Sequence, residues 1–388
     1  MSFRFTNRIQ NTPKSFIREI LKVTQDPSIT SFAGGLPNPS LFPIEALQEA
    51  ARETLATSGA RALQYSTTEG HAELRAWIAN RYSRHGVSVD PDQVLITTGS
   101  QQCLDLLGKL FIEKDDEVIL ERPSYLGTIQ AFTMFEPRFV TVDLEADGPN
   151  LAQVEALLAT GQPKLFYAVP NFQNPSGLTY SRAKREELGK LLQKYPETLF
   201  IEDDPYGELR FCGEHHKPVF AHTGGRSIML GSFSKITVPG FRLGWMVAPP
   251  EIIRLAVKAK QAADLHSSTF NQFVIAEYLK KHSIDEHIAK ITACYGSQAA
   301  AMVRTLEREA PEGGMFSWVT LPEGKGSCMD LFNLAIEQKV AFVPGMPFYT
   351  DGTGQNTLRL NFSNASEQTI DTGITRLCRC MKDFLNAS

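Results

Sequence analysis

Gly231-Ser232-Phe233-Ser234-Lys235-Ile236-Thr237-Val238-Pro239-Gly240-Phe241-Arg242-Leu243-Gly244 is the stretch from which the rest of the chain can be read. It follows an apolar run, 227–231, with the character of a buried strand. Two serines flank Lys235 directly after that run, and Arg242 stands further on, beyond a Pro-Gly turn. Hydroxyls, an ammonium and a guanidinium fork together suit a phosphate dianion. Lysine is also the side chain that forms a Schiff base with a carbonyl compound. A phosphate and an aldehyde in one molecule point to pyridoxal phosphate. Taken alone, the same residues also fit an ordinary charged surface loop.

Outward from this stretch, short β-branched runs alternate with helical patterns. The strand-like runs are 94–98, 117–121, 139–143, 165–169, 198–202, 227–231 and 243–248. Helical patterns lie at 101–112, 125–135, 151–159 and 181–194. Near-continuous apolar strands alternating with helices predict an α/β fold: a mostly parallel, seven-stranded sheet with helices on both faces. Such sheets bind ligands at the carboxyl ends of their strands, so chemistry is expected just after each run. Beyond about residue 250 a long helical stretch runs through 251–263 and 270–281 towards 306. Strand-like pieces at 315–321, 340–343 and 357–361 follow, with a helix at 329–338. This predicts three parts: an N-terminal arm over 1–44, a large domain over 45–285 and a smaller α+β domain over 286–388.

Composition excludes several classes. The chain has 388 residues, 42% hydrophobic and 21% charged, which is ordinary for a globular protein with a sizeable core. Thirty-nine basic against 43 acidic residues give a net charge of −4, a poor match for nucleic acid or an anionic membrane. No apolar run is long enough for a membrane span, and residues 1–22 lack the apolar stretch of a signal peptide. The six cysteines are scattered and form no C-x-x-C pair, which predicts reduced thiols and a cytoplasmic protein. His215 and His216 are adjacent and do not converge on one ion, so no metal site is expected.

Four further segments stand at strand ends. Asp203-Asp204-Pro205-Tyr206 offers a carboxylate that is costly to bury without a cation; a protonated pyridine nitrogen would be one. The same residues also read as a helix cap, and which Asp points inward is left open. Pro170-Asn171-Phe172-Gln173-Asn174-Pro175-Ser176-Gly177 is a turn whose Asn amide can donate to a phenolate. Thr97-Thr98-Gly99-Ser100-Gln101-Gln102 opens a helix whose free N–H groups favour an anion. Arg122-Pro123-Ser124-Tyr125 can place a ring over a flat molecule. In addition, Arg359 sits inside the apolar run 357–362. It reads either as an ion pair at a domain edge or, without a protein carboxylate, as the partner of a substrate carboxylate.

G-S-F-S-K-x(6)-R, D-x-x-Y and N-P-x-G together resemble the fold-type I, class I pyridoxal-phosphate aminotransferases. F-A-G-G-L-P near the start and L-Q-Y-S-T-T-E-G-H-x-E-L-R at 63–75 are similar to the branch that contains 2-aminoadipate and kynurenine aminotransferases. The resemblance covers essentially the whole chain. It implies that Lys235 holds the cofactor and shuttles a proton, that Asp203 pairs with the pyridine nitrogen, and that Tyr206 and Asn174 bond the phenolic oxygen. It assigns the phosphate to Ser100, Gln101, Ser232, Ser234 and Arg242, and ring stacking to Tyr125. Tyr65 would reach the phosphate of the partner subunit in a homodimer. Arg359, with Asn174, would bind the substrate α-carboxylate, Gly35 would cover the substrate, and Arg18 would meet its side chain. The implied activity is ping-pong transfer of an amino group from an L-amino acid (2-aminoadipate, aromatic or branched-chain) to a 2-oxo acid such as 2-oxoglutarate. A lyase or decarboxylase would use the same cofactor shell. A transcription regulator would need a DNA-binding part for which the first 40 residues are too short.

Overall fold

The computed structural model describes residues 3–12, 20, 26–84, 86–307 and 310–387. The N-terminal segment contributes one short strand, β1 (Thr30–Ser31). The apolar runs then form β2 (Val94–Thr97), β3 (Glu117–Arg122), β4 (Arg138–Glu145), β5 (Gly148–Pro149), β6 (Pro163–Ala168), β7 (Leu199–Asp203), β8 (Ser227–Ser232) and β9 (Gly244–Val247). Their order across one sheet is β2-β9-β8-β7-β6-β3-β4-β5. The pairs β4–β3, β3–β6, β6–β7 and β7–β8 are parallel, and only β9 and the edge strands β2 and β5 introduce antiparallel pairs. The seven expected strands are therefore present in a mostly parallel sheet. The eighth, β5, is a two-residue return after β4 that no hydrophobic run announces.

Burial follows the period of two that a strand imposes. Val118, Leu120, Leu165, Tyr167 and Ile201 belong to the main core, whereas Ile119, Phe166, Ala168 and Phe200 pack into a second layer with Leu188 and Leu192 of helix Arg182–Lys194. Both faces are covered, which is why these strands read as continuous apolar runs.

The long helical stretch expected after residue 250 is three helices: Pro250–Ala263, Thr269–Lys281 and Ile284–Leu306. Leu265 takes a left-handed backbone at φ 64°, and the side chains of Ser268 and Ser283 cap the second and third helices. The apolar period continues across these breaks, so hydrophobicity alone did not reveal them. Helices Ile44–Ala62, Ala72–Ser83 and Glu367–Ala387 were not anticipated; the first two bury narrow stripes of mixed residues. No helix among the described residues is long and apolar enough to cross a membrane.

The remaining strands are β10 (Phe316–Thr320), β11 (Val340–Ala341), β12 (Val343–Pro344) and β13 (Thr357–Asn361). β13 lies between β10 and β12, antiparallel to both, and β1 pairs in parallel with β11. The backbone hydrogen bond from Asn361 to Phe32 O extends this link to the N-terminal segment.

Gly244 marks where the large sheet packs most tightly. A Cβ there would lie 2.6 Å from Ser100 N, 2.7 Å from Gly99 C and 2.9 Å from Gly231 O, all backbone atoms. We therefore expect Gly244→Ala to cost about 1–3 kcal/mol of stability, the usual range for forcing extra volume into a packed site. Chemical denaturation checks this; an unchanged midpoint would contradict the close approach.

Candidate active site

The parallel strands end at one edge of the sheet, and there a cavity of about 700 Å³ opens. Of the residues singled out in the sequence, Gly35, Ser100, Gln101, Tyr125, Asn174, Asp203, Tyr206, Ser232, Ser234, Lys235, Arg242 and Arg359 all line it. Tyr65 does not. It is 79% exposed, with its ring 5.8 Å from that of His266. Arg18 lies outside the described residues.

Lys235 ends a single 3₁₀ turn, Phe233–Lys235, that Ser232 caps by accepting the Ser234 N–H at 3.1 Å. Its Nζ donates to Gly35 O at 2.7 Å and lies 6.0 Å from the centre of the Tyr206 ring. Burial, with the cations Arg359 and Arg242, lowers its pKa to about 8. A second 3₁₀ turn, Pro239–Phe241, leaves Arg242 in the left-handed region at φ 53°. That kink brings the guanidinium against Gly99, where a Cβ would be 2.7 Å from Nη2. Gly99, at φ 76°, also precedes helix Ser100–Phe111, so Ser100 and Gln101 present the first turn of that helix to the cavity.

Asp203 is the last residue of β7, two positions after Ile201, and therefore on the same face. Tyr167 of the neighbouring strand is on that face too, and its hydroxyl donates to Asp203 Oδ2 at 2.7 Å. Oδ1 is buried without a hydrogen-bond partner. Burial pushes this carboxyl up to about 7, against the pull of the Tyr167 hydroxyl and with Asp204 adding to the rise. Asp204 points the other way. It accepts the Gly207 N–H at 2.8 Å and lines a small separate cavity beside Arg81 and Glu208. The question left open by the sequence is thus answered by strand alternation.

Asn174 Nδ2 donates to the Tyr206 hydroxyl at 3.3 Å, and its Oδ1 accepts from Arg359 Nη1 at 2.7 Å. Arg359 Nη2 donates to Ala33 O at 2.7 Å, and the guanidinium stacks 4.4 Å from the Phe316 ring. Its Nε has no partner, and burial lowers its pKa to about 10. No carboxylate of the described residues pairs with it, so the ion-pair alternative is not what the structure holds. Tyr125 caps helix Leu126–Thr133, and Gly127 leaves room for its ring: a Cβ there would meet Tyr125 Cε1 at 2.4 Å. Burial pushes the Tyr125 hydroxyl up to about 12.

Sequence reasoning missed Tyr167, Gly127 and Gln130, which also lie at this site. Tyr167 was legible in principle: a tyrosine inside an apolar strand needs a buried partner for its hydroxyl. Gln130 carries no such signal.

A lysine without counter-charge, a buried carboxylate and a free arginine around one strand-end cavity define an α/β enzyme that handles a carboxylated amine through a phosphorylated aldehyde. The family model for aminotransferases of class I and II matches residues 34–377, and the chain belongs to that family. It is 44% identical to a 2-aminoadipate transaminase from Thermus thermophilus over 96% of this chain and 94% of that one. It is 40% identical to an aromatic-amino-acid aminotransferase from Thermococcus litoralis over 98% and 94%. Among solved structures, it is similar to the α-aminoadipate aminotransferase of Thermus thermophilus complexed with N-(5'-phosphopyridoxyl)-L-leucine. The TM-score is 0.92 at 41% identity, covering 99% of this chain and 98% of that one. The protein is accordingly a pyridoxal-phosphate-dependent aminotransferase acting on amino acids and 2-oxo acids.

The depressed pKa of Lys235 has a direct consequence in cofactor-free protein. Acylation of its amine is expected to rise with pH around a midpoint near 8 rather than 10.5. Peptide mapping of timed labelling at several pH values reads it, and an ordinary lysine midpoint would contradict the environment described. The folded state releases this proton before the unfolded state does, so Lys235 adds stability as pH rises from about 8 towards 10.5.

Proposed function

We propose that this enzyme moves the amino group of 2-aminoadipate, an aromatic or a branched-chain L-amino acid to 2-oxoglutarate, by a ping-pong cycle in a cytoplasmic homodimer. One observation carries the reading of the site. Asp203 and Arg359 are buried at one cavity with the part-buried Lys235, and the described residues offer none of them a side chain of opposite charge. Pyridoxal phosphate fits that arrangement, with the lone Asp203 Oδ1 and the Gly99–Arg242 approach as the places it would satisfy. The choice of donors is supported by the names of the relatives, and the compartment by six cysteines outside any disulfide.

When bound, pyridoxal phosphate supplies an aldehyde for the amine and a ring that takes up the electron pair left at the α-carbon. Lys235 would hold the aldehyde and, with its amine free, would accept the α-proton at Nζ. A pKa of about 8, against an ordinary 10.5, makes the neutral amine far more accessible near physiological pH. Asp203 keeps a proton on the pyridine nitrogen, and Tyr167 orients the carboxylate. Tyr206 and Asn174 donate to the phenolic oxygen. Ser100, Gln101, Ser232, Ser234 and Arg242 surround the phosphate, joined by Tyr65 of the partner subunit. Tyr125 stacks on the ring. Arg359 takes the α-carboxylate, a bidentate charge-assisted pair, and Asn174 holds its fork in place. Gly35 closes over the substrate, and Arg18 meets the far end of acidic donors. In this reading residues 1–44 form an arm, 45–285 the cofactor-bearing domain and 286–388 the small domain.

Three outcomes are expected. In a screen of amino donors with 2-oxoglutarate, 2-aminoadipate and aromatic amino acids give oxo-acid-dependent turnover that Lys235→Ala abolishes. Turnover without an oxo acid, with release of carbon dioxide, would mean a decarboxylase instead. Asp203→Ala loses roughly 10²–10³-fold in kcat, the scale of one lost preorganised electrostatic partner, while Asp204→Ala loses far less. The reverse ranking would contradict the alternation of β7. Mixing inactive Lys235→Ala and inactive Tyr65→Ala proteins restores about a quarter of wild-type activity, since half of the dimers are mixed and each has one intact site. No recovery after demonstrated exchange would remove Tyr65 from the shared site.

A further inference from the structure

Glu121 stands outside the cavity, yet its side chain ties together two loops that form it. It lies near the end of β3, on the face of Ile119 rather than that of Leu120, and is 1% exposed. Its carboxylate accepts three hydrogen bonds: from the Tyr180 hydroxyl at 2.5 Å, Gln173 Nε2 at 3.0 Å and the Val169 N–H at 3.2 Å. The charged group is held chiefly at Oε2, where Gln173 Nε2 and the Val169 N–H both donate, while the Tyr180 hydroxyl at Oε1 is a group that donates or accepts. Burial alone works against that group, pushing its pKa up to about 7. A glutamine would keep both bonds at its oxygen and donate its NH₂ to the Tyr180 hydroxyl, so an apolar side chain is needed to break the link to Gln173.

The link continues through Gln173. Its Nε2 also donates to Pro123 O at 2.7 Å, in the loop that leads to Tyr125. Its Oε1 accepts both the N–H and the hydroxyl of Ser176, at 2.8 and 2.7 Å. The stretch 173–176 is thereby clamped at both ends, and Asn174 sits inside the clamp. Phe172, just before it, is held at φ 48°, a backbone state that a bulky residue keeps only where its surroundings over-determine it. From this loop Asn174 reaches Tyr206 and Arg359 together.

We propose that Glu121 is a positioning residue for amino transfer: through Gln173 it fixes the loop that presents Asn174 to Tyr206 and Arg359. This rests on the reading in which Asn174 serves the cofactor's phenolic oxygen and steadies Arg359. Losing Glu121 or Gln173 lets Asn174 drift from both, so one lesion weakens cofactor tuning and carboxylate binding at once.

The test is a double-mutant cycle on the pyridoxal-phosphate-loaded enzyme, made with Glu121→Leu, Gln173→Leu and Asn174→Ala. Two quantities are measured: the midpoint of the pH titration of the cofactor's visible band, and kcat/KM for one amino donor. Glu121→Leu and Gln173→Leu are each expected to move the midpoint in the direction that Asn174→Ala moves it. Each should also lower kcat/KM by about 10- to 100-fold, the scale of losing an outer-shell support for a ligating group. In the Asn174→Ala background neither adds a further shift, because they act through Asn174. Should Glu121→Leu not fold, Gln173→Leu carries the same comparison. Unmoved midpoints in both variants, or shifts that add fully to that of Asn174→Ala, would overturn the proposal while leaving the cofactor reading intact. A normal cofactor band that Asn174→Ala itself does not move would instead remove the assigned role of Asn174, and this inference with it.

Discussion

An ionic group buried without a counter-charge is among the most expensive features a fold can carry, worth several kcal/mol even after relaxation. Here two such groups, Asp203 and Arg359, share one cavity with the part-buried Lys235. The protein answers with neutral partners only: carbonyl oxygens of Gly35 and Ala33, the amide of Asn174 and the hydroxyl of Tyr167. Each partner fixes direction without cancelling charge. In the function proposed above, the missing charges belong to what binds, a pyridinium for Asp203 and a carboxylate for Arg359. Lys235 avoids the problem by being easily deprotonated.

Holding these groups in place takes most of the architecture. Asp203 and Tyr167 come from adjacent strands of the large sheet and share a face by alternation. Lys235 and Arg242 come from two successive 3₁₀ turns between β8 and β9. Arg359 arrives from the three-stranded sheet, and Gly35 and Ala33 from the segment just after β1. That segment is hydrogen-bonded through Phe32 to both β11 and Asn361, two residues from Arg359. Small displacements of one sheet against the other therefore act directly on Arg359.

Much of this was legible in the chain, for physical reasons. Strands buried on both faces must be apolar throughout, so 94–98, 227–231 and 243–248 stood out. Residues after such strands had to lie at the ligand edge, which placed Lys235, Asn174, Ser100 and Tyr125. Arg359 was ambiguous only because an ion pair and a substrate pair look alike until neighbours are known. Tyr167 and Glu121 were hidden for a different reason. They act within strands, and their partners lie on other strands or loops: Asp203 is 36 positions from Tyr167, and Gln173 is 52 from Glu121. Helices Ile44–Ala62 and Ala72–Ser83 bury too few apolar residues to leave a clear period.

Lysine chemistry offers the sharpest discrimination, because the chain buries a second lysine near the same helix start. Lys260 is fully buried, but its Nζ is paired with Asp264 at 2.8 Å and bonded to Gln102 at 2.6 Å. Burial lowers the pKa of Lys260 as well, but Asp264 opposes that shift and occupies its Nζ, whereas Lys235 has no such counter-charge among the described residues. Borohydride reduction of the pyridoxal-phosphate-loaded enzyme, followed by peptide mapping, separates the two directly. The account predicts loss of the visible band and a phosphopyridoxyl mass on the peptide containing Lys235 alone. A label on Lys260, or on no lysine at all, would contradict it.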